Sequence, residues 1–282
     1  SAENMGTVKR ARRSGHELDW NQPATREMTD LLTNEDKMLT AYEWRQGIIN
    51  MPMAYGIVEN ARRARLGMDR ESYAKDMAEQ FLDELLRAGT TTALVFGTVH
   101  KQSVDAFFEA CENRNLRMIA GKVMMDRNAP EHLTDDPESS YADSKYLIEK
   151  WHNRGRLNYA ITPRFAPTSS KEQLQKAGQL LYEYPDIYMQ THLSENLDEV
   201  AWVKELFPES ENYLDAYDRA GLLGRRSVFA HCIHLDDKEW QRMAESQSGI
   251  AFCPTSNLFL GSGLFNLNRA VKENINVGLG TD

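Results

Sequence analysis

A short, largely apolar stretch, Tyr188-Met-Gln-Thr-His-Leu-Ser-Glu195, ends in two side chains that can do chemistry, His192 and Glu195. It has the length and composition of a buried β-strand, and Asn196 behind it is a typical helix cap. Glu199, three residues further on, predicts a capping box with Asn196. An imidazole can bind a metal ion, and a nearby carboxylate can carry protons for water bound there. Because a lone histidine at a strand end is more often structural, this stretch alone does not establish a site.

Two more predicted strands end in residues of the same kind. The stretch 227–234 carries His231 near its end, and the stretch 275–282 ends in Asp282. The carboxyl ends of parallel strands meet at one face of an α/β barrel, so His192, His231 and Asp282 are expected to converge. Two imidazoles and a carboxylate suit zinc or iron, and Glu195 would then act as the proton carrier.

Arg164 lies near the end of a fourth predicted strand, residues 157–165. Its guanidinium is a rigid fork of hydrogen-bond donors, which suits a substrate carbonyl. A structural ion pair is the alternative interpretation of Arg164 taken by itself.

The elements that must position these residues alternate between strand and helix. Apolar residues at helical spacing after residue 69 predict a helix that stops at Gly89, and Ser103 and Ser169 or Ser170 are predicted caps of later helices. Asp236 and Glu239 predict a second capping box. The predicted strands are 91–96, 117–125, 157–165, 188–195, 227–234, 249–254 and 275–282, with a loop over 129–140 and a helix around 144–151. Such alternation, with about seven strands, predicts a parallel sheet and an α/β fold of the (β/α)8 TIM-barrel type that is incomplete by comparison with eight strands.

Residues 1–68 differ from this pattern and form a predicted N-terminal segment distinct from the barrel part, residues 69–282. The segment carries two basic clusters, at 9–13 and 62–65, and a loosely periodic stretch at 30–49 that favours a helix. A nucleic-acid-binding arm is one interpretation of the first cluster, and a solvated segment is the favoured one.

Composition narrows the class of protein. The chain has 282 residues and a net charge of −9, which argues against nucleic acid or an anionic membrane as the main partner. Its three cysteines, Cys111, Cys232 and Cys253, are too few and scattered for a disulfide framework and predict a cytoplasmic protein. Cys232 and Cys253 are interpreted as core thiols because apolar strand residues flank them.

Residues 69–282 resemble the barrel of guanine deaminases, in the amidohydrolase superfamily. The stretches that carry the resemblance follow one another in the family's order. They are Arg87-Ala-Gly-Thr-Thr-Thr-Ala93, Gly121-Lys-Val-Met-Met-Asp-Arg-Asn-Ala-Pro130, Thr162-Pro-Arg-Phe-Ala-Pro-Thr-Ser169, Thr191-His-Leu-Ser-Glu-Asn196, Phe229-Ala-His-Cys232, Phe252-Cys-Pro-Thr-Ser-Asn257 and Gly280-Thr-Asp282.

The resemblance implies a role for each matching residue in the zinc-dependent hydrolysis of guanine to xanthine and ammonia. His192 and Asp282 would be ligands of one zinc ion per subunit, and Asp282 would also take a proton from the attacking water. Glu195 would carry that proton to the purine and the leaving ammonia, and His231 would polarise the water and stabilise the intermediate. Arg164 would bind the guanine carbonyl with Phe165 beside it. A homodimer is also implied.

Two departures from the family pattern leave alternatives open. The His-x-His pair of the family's first barrel strand occurs nowhere in this sequence, and the family continues beyond the position of Asp282. One hypothesis is a guanine deaminase of which this chain is a part. The other is a non-catalytic barrel remnant that binds a purine or a partner subunit. A third, within the same superfamily, is an amidohydrolase acting on a triazine, pterin or cytosine ring.

Overall fold

The computed structural model describes residues 70–282, which form one parallel sheet covered by helices. The predictions for residues 1–68 lie outside the described residues. The helices are α1 (Arg70–Arg87), α2 (Lys101–Asn113), α3 (Pro137–Trp151), α4 (Lys171–Glu183), α5 (Leu197–Leu206), α6 (Tyr213–Asp218), α7 (Asp237–Ser246), α8 (Pro254–Leu260) and α9 (Leu267–Lys272). The strands are β1 (Thr92–Phe96), β2 (Arg117–Gly121), β3 (Val123–Met124), β4 (Asn158–Pro163), β5 (Tyr188–Leu193), β6 (Ser227–His231), β7 (Gly249–Phe252) and β8 (Val277–Leu279).

The sheet runs in the order β1-β2-β4-β5-β6-β7-β8, with β3 paired to β4, and every recorded pair is parallel. Within residues 70–282, β1 and β8 are the two end strands of this order. The predicted α/β architecture of an incomplete (β/α) barrel is therefore confirmed. Parallel strands bring their carboxyl ends to one face, and that face carries the candidate site.

The core lies between the sheet and its helices, as expected of strands buried on both faces. Leu82, Phe108, Leu147 and Leu180 bring the inner faces of α1 to α4 into one apolar cluster that includes strand residues such as Met189. Cys111, Cys232 and Cys253 are free and buried, so the interpretation of Cys232 and Cys253 as core thiols is confirmed.

Gly121 is required where β2 passes β4. A Cβ atom at this position would lie 1.7 Å from the carbonyl oxygen of Ala160 and 2.3 Å from Thr162 Oγ1. A backbone atom cannot move aside as a flexible side chain can, so only glycine permits this approach of the two strands.

The strand predicted over 117–125 is interrupted at Lys122. The backbone N–H of Lys122 donates to the hydroxyl of Tyr159 at 3.1 Å instead of continuing the strand ladder. The buried ammonium of Lys122 pairs with Asp135. This contact also fixes the following loop, because Asp135 Oδ1 accepts the backbone N–H of Met125.

The prediction of a loop over residues 129–140 is wrong for its last four residues, because α3 already begins at Pro137. The side chain of Asp136 accepts the backbone N–H groups of Glu138 and Ser139, and Ser139 completes the capping box. Pro137 occupies the first helical turn, where a missing N–H costs nothing. The Pro, Asp and Ser residues at the end of this segment therefore begin a helix and do not extend the loop.

Two predicted caps are also corrected, and two others are confirmed. The N-cap of α2 is His100 rather than Ser103, whose hydroxyl donates to the carbonyl oxygen of His100. Asn196 caps α5 alone, since Glu199 is buried and does not complete a box. Ser170 caps α4, and Asp236 forms the predicted capping box on α7.

None of the helices in residues 70–282 combines the length and the apolar character that a membrane crossing requires.

Candidate metal and catalytic site

His192 lies at the tip of β5 and is oriented by the neighbouring strand. Its Nδ1 lies 2.7 Å from the backbone carbonyl oxygen of Arg164, just beyond β4. A carbonyl oxygen only accepts, so Nδ1 carries a proton, and Nε2 is the nitrogen that can give up its proton to bind a metal ion. Nε2 lies 3.5 Å from Asp282 Oδ1. This is the arrangement of a metal-binding histidine whose second nitrogen is held by the protein.

Asp282 and His192 influence each other's protonation. Burial raises the pKa of Asp282, but the hydrogen bond and the charge of His192 outweigh it and hold that pKa well below its usual range. Burial lowers the pKa of His192, while Asp282 raises it, and the net pKa lies above the ordinary value. Ser256 donates a hydrogen bond to Asp282 Oδ2 at 2.6 Å and further favours the carboxylate. Asp282 therefore faces the site as an anion.

His231 ends β6 in a strained backbone conformation. Its φ is 72°, in the left-handed region that non-glycine residues rarely adopt. The ring is fully buried and stacks on His192 with ring centroids 5.4 Å apart. His231 Nε2 lies 3.8 Å from Asp282 Oδ2 and 4.0 Å from Glu195 Oε2. Burial lowers the pKa of His231 below its ordinary value, so the ring is neutral at neutral pH.

Glu195 lies in the turn between β5 and α5, where its carboxylate reaches the site from one side. Its Oε1 accepts a hydrogen bond from Ser262 Oγ at 3.1 Å, and its Oε2 faces His231. Ser194, immediately before it, has a φ of 50°. The carboxylate is 16% exposed, so protons can be exchanged with solvent.

Arg164 and Phe165 form the side of the site that follows β4. The Arg164 guanidinium carbon lies 4.3 Å from the centroid of the Phe165 ring, a cation–π contact. The Phe165 ring meets His192 edge-on at 6.2 Å, and Phe96 lies 4.7 Å from the same imidazole. An aromatic surface and a fixed donor fork thus adjoin the imidazole of His192.

The segment that carries Arg164 is held from both sides. Arg127 donates to the carbonyl oxygen of Ala166 at 2.9 Å, and Asn128 donates to that of Pro167 at 2.7 Å. From the other side, the hydroxyl of Tyr217 accepts the backbone N–H of Ala166 at 2.8 Å. The same hydroxyl donates to the carbonyl oxygen of His192 at 2.8 Å. Tyr217 therefore connects the segment after β4 with the tip of β5.

The structure brings all of the sequence-predicted site residues to the same end of the sheet. These residues are Arg164, Phe165, His192, Glu195, His231 and Asp282. Ligand atoms of His192, His231 and Asp282 lie within 4.8 Å of one another, close enough to surround one metal ion. The roles assigned to the individual residues remain predictions.

Three residues after β7 support this site and were not predicted from the sequence. Ser256 contacts Asp282, Asn257 contacts His231, and Ser262 contacts Glu195. A signal was present for two of them, since Phe252-Cys-Pro-Thr-Ser-Asn257 is one of the stretches that carry the resemblance. Ser262 lies between Gly261 and Gly263, and no local pattern there indicated a contact with Glu195.

Comparison with known proteins identifies the family of this chain. The family described as "Amidohydrolase family" matches residues 28–282, which is most of the chain. This chain belongs to the amidohydrolase family. Members of its superfamily are metal-dependent, in accord with the candidate metal-binding group of His192, His231 and Asp282.

Several relatives of this amidohydrolase are guanine deaminases. Over 210 residues the chain is 64% identical to guanine deaminase of Escherichia coli (strain K12), a match that covers 74% of this chain and 48% of the relative. It is 32% identical to guanine deaminase of Homo sapiens over 244 residues, with 86% and 54% of the two chains covered. The chain thus spans about half the length of the curated relatives it matches.

Solved structures show the same likeness. The structure of E. coli guanine deaminase has a TM-score of 0.75 and 63% identity, and the match covers 76% of this chain and 50% of that one. Guanine deaminase from C. acetobutylicum, solved with bound guanine in the active site, has a TM-score of 0.75 and 34% identity, with 86% and 59% covered.

Proposed function

We propose that this chain provides the catalytic face of a zinc-dependent guanine deaminase, which converts guanine and water into xanthine and ammonia. The observation that carries the proposal is the convergence of His192, Glu195, His231 and Asp282 from separate elements onto one site. The identity to guanine deaminases over most of the chain supports guanine as the substrate. We extend the proposal to a homodimer and to a division between residues 1–68 and 69–282.

The residues present fit a metal ion. His192 directs Nε2 toward Asp282 because its Nδ1 donates to the carbonyl oxygen of Arg164, and Asp282 is held as a carboxylate. A metal ion would bind Nε2 in its deprotonated form. One neutral imidazole and one carboxylate are donors that zinc accepts, and iron accepts them too. A catalytic zinc site takes three or more protein ligands, so a third donor is required besides these two. A bound zinc ion would supply Lewis acidity that makes water nucleophilic at neutral pH.

Arg164 and Phe165 are proposed to bind and orient the purine. The guanidinium donates to the ring carbonyl, and the aromatic ring contacts the base. Arg164 is only 4% exposed, so its hydrogen bonds act in a site from which most water is excluded. Binding of the carbonyl by Arg164 is proposed to place the amino-bearing carbon of guanine near Glu195.

Glu195 and Asp282 are proposed to move the protons. Asp282, an anion, accepts a proton from the attacking water. Glu195 carries that proton to the ring nitrogen as the water oxygen bonds to the amino-bearing carbon. The remaining hydroxyl proton then passes through the two carboxylates to the amino group, the C–N bond breaks, ammonia leaves and the oxygen stays as the new carbonyl of xanthine. His231 stabilises the negative charge that develops on the substrate. The partial exposure of Glu195 allows it to return to its starting protonation state between turnovers.

The experiment is the conversion of guanine to xanthine by the purified 282-residue chain with added zinc, followed by absorbance. Turnover that Glu195→Ala abolishes supports the proposal and shows that the metal site is completed, with His16 and His100 as candidate third ligands. A folded chain that gains activity only when a His-x-His strand and a C-terminal extension are added would be part of a longer deaminase. A folded chain inactive in both forms would contradict guanine deamination and favour another ring substrate or a binding role.

A further inference from the structure

Asn257 and His231 form a buried polar pair beside the site. Asn257, in α8, is 1% exposed, and the side chain of His231 is 0% exposed. Asn257 Nδ2 lies 2.8 Å from His231 Nδ1. This contact between side chains 26 residues apart in the chain is the only hydrogen bond recorded for either side chain within residues 70–282.

The chemistry of the two nitrogens determines where the histidine proton lies. An amide nitrogen only donates, so Nδ1 must present its lone pair to Asn257. A neutral imidazole carries one N–H, and the proton is then on Nε2. At His192, by contrast, Nδ1 is the nitrogen that donates, to a carbonyl oxygen.

The other edge of the His231 ring favours the same tautomer. Nε2 faces Asp282 Oδ2 at 3.8 Å and Glu195 Oε2 at 4.0 Å. Carboxylate oxygens present lone pairs, so an N–H directed toward these oxygens is attracted, whereas a lone pair on Nε2 would be repelled. Nε2 has no hydrogen-bond partner among the described residues, and an N–H there is available to a molecule in the site.

We propose that Asn257 is a positioning residue that holds His231 as the Nε2–H tautomer, so that His231 presents a hydrogen-bond donor to the site. The left-handed backbone of His231 and its burial leave the ring few alternative orientations. The functional consequence rests on the proposed deamination, in which this donor stabilises negative charge on the substrate. The tautomer itself does not depend on turnover.

NMR of the full chain labelled with ¹⁵N in the histidine rings and asparagine side chains tests the pair directly. The His231 signals are assigned from their loss in His231→Gln. An N–H···N hydrogen bond produces a measurable coupling between the two nitrogens, and an N–H···O bond does not. We expect this coupling between Asn257 Nδ2 and His231 Nδ1, together with ring shifts of an Nε2–H imidazole. A wild-type His231 protonated on Nδ1 would overturn the proposal, whether or not the chain turns over guanine.

A substitution then tests whether Asn257 is the cause. In Asn257→Asp the carboxylate accepts instead of donating, so the His231 signals are expected to shift to a ring protonated on Nδ1. The chain offers a control, because Asn158 Nδ2 lies 3.5 Å from Nδ1 of another histidine, His152. Because the backbone N–H of Tyr159 also donates to His152 Nδ1, at 3.2 Å, Asn158→Asp should leave the signals of both histidines unchanged. Folded Asn257→Asp with unchanged His231 signals would overturn the role of Asn257, and if this variant does not fold, the wild-type coupling alone decides.

Discussion

His192 Nδ1 donates its proton to the backbone carbonyl oxygen of Arg164 at 2.7 Å, so the backbone of a proposed substrate-binding residue orients a proposed metal ligand. The backbone N–H of His192 and the hydroxyl of Thr191 approach the same oxygen at 3.3 and 3.2 Å. Three hydrogen bonds to one carbonyl oxygen therefore hold the tips of β4 and β5 together. Because the connection runs through the backbone, it survives any change of the Arg164 side chain.

Arg164→Met is expected to weaken guanine binding without loss of zinc. A hydrogen bond to a charged group contributes about 1.5–3 kcal/mol, which corresponds to a roughly 10- to 150-fold weaker Kd. The carbonyl oxygen that orients His192 is unchanged, so zinc content should equal that of the wild type. Equilibrium dialysis with guanine and metal analysis measure the two quantities. Arg225→Met, at an exposed arginine, is the matched control. Loss of zinc together with guanine would contradict a purely backbone connection.

Ser262→Ala is expected to lower kcat without changing zinc content. Its hydroxyl donates to Glu195 Oε1 at 3.1 Å and is the described contact that holds this carboxylate toward the site. Loss of a hydrogen bond of about 1.5 kcal/mol predicts a roughly tenfold lower turnover. Steady-state kinetics with metal analysis checks the result. Ser246 ends α7 and lies just before the amino end of β7, away from the strand tips that carry the site. Ser246→Ala should therefore leave kcat unchanged. Equal kcat values for Ser262→Ala and Ser246→Ala would show that Glu195 does not need the hydrogen bond from Ser262.

Because Glu239 is buried, we expect the free energy of unfolding to fall as pH rises between about 4.5 and 7. Burial raises the pKa of Glu239 from 4.5 to about 7 in the folded chain. Protonation is therefore easier in the folded state than in the unfolded state, and the stabilisation is complete below pH 4.5 and lost as pH rises through 7. The shift corresponds to about 3 kcal/mol at most. Burial raises the pKa of Glu199 to about 7 as well, with the same sign.

Urea unfolding of Glu239→Gln from pH 4.5 to 7.5 measures this effect. Glutamine can replace glutamate in a capping box, so the variant should fold, and its stability relative to the wild type should increase as pH rises. The exposed Glu205→Gln in α5 is the control and should follow the wild-type curve. A constant difference between Glu239→Gln and the wild type over this range would refute the prediction.

Gly121→Ala is expected to destabilise the chain by roughly 2 kcal/mol or more, because its Cβ would overlap the backbone of β4. Gly224→Ala is the matched control, since nothing lies within 4 Å of a Cβ built there. Its effect should stay within about 0.5 kcal/mol. Urea unfolding of both variants gives the comparison, and similar losses would mean that β2 can move away from β4.

The sequence alone determined the alternation of strands and helices and the residues at the strand tips. His192, His231 and Asp282 were identified because parallel strands end at one face, whatever their separation along the chain. Arg164 and Glu195 followed from the same rule. Asp236 and Ser170 were identified as caps because capping depends on residues only a few positions apart.

Only the tertiary structure decided which side chains support that site. Ser262 and Glu195 are 67 residues apart, and Asn257 and His231 are 26 apart, so no local pattern links them. The same holds for Glu199, which the local pattern assigned to a capping box and the packing of α5 buries instead. Local rules determine elements and their ends, whereas hydrogen bonds between loops depend on the packing of the whole sheet. The proposed position of the proton on His231 likewise depends on packing, because it is set by the contact with Asn257.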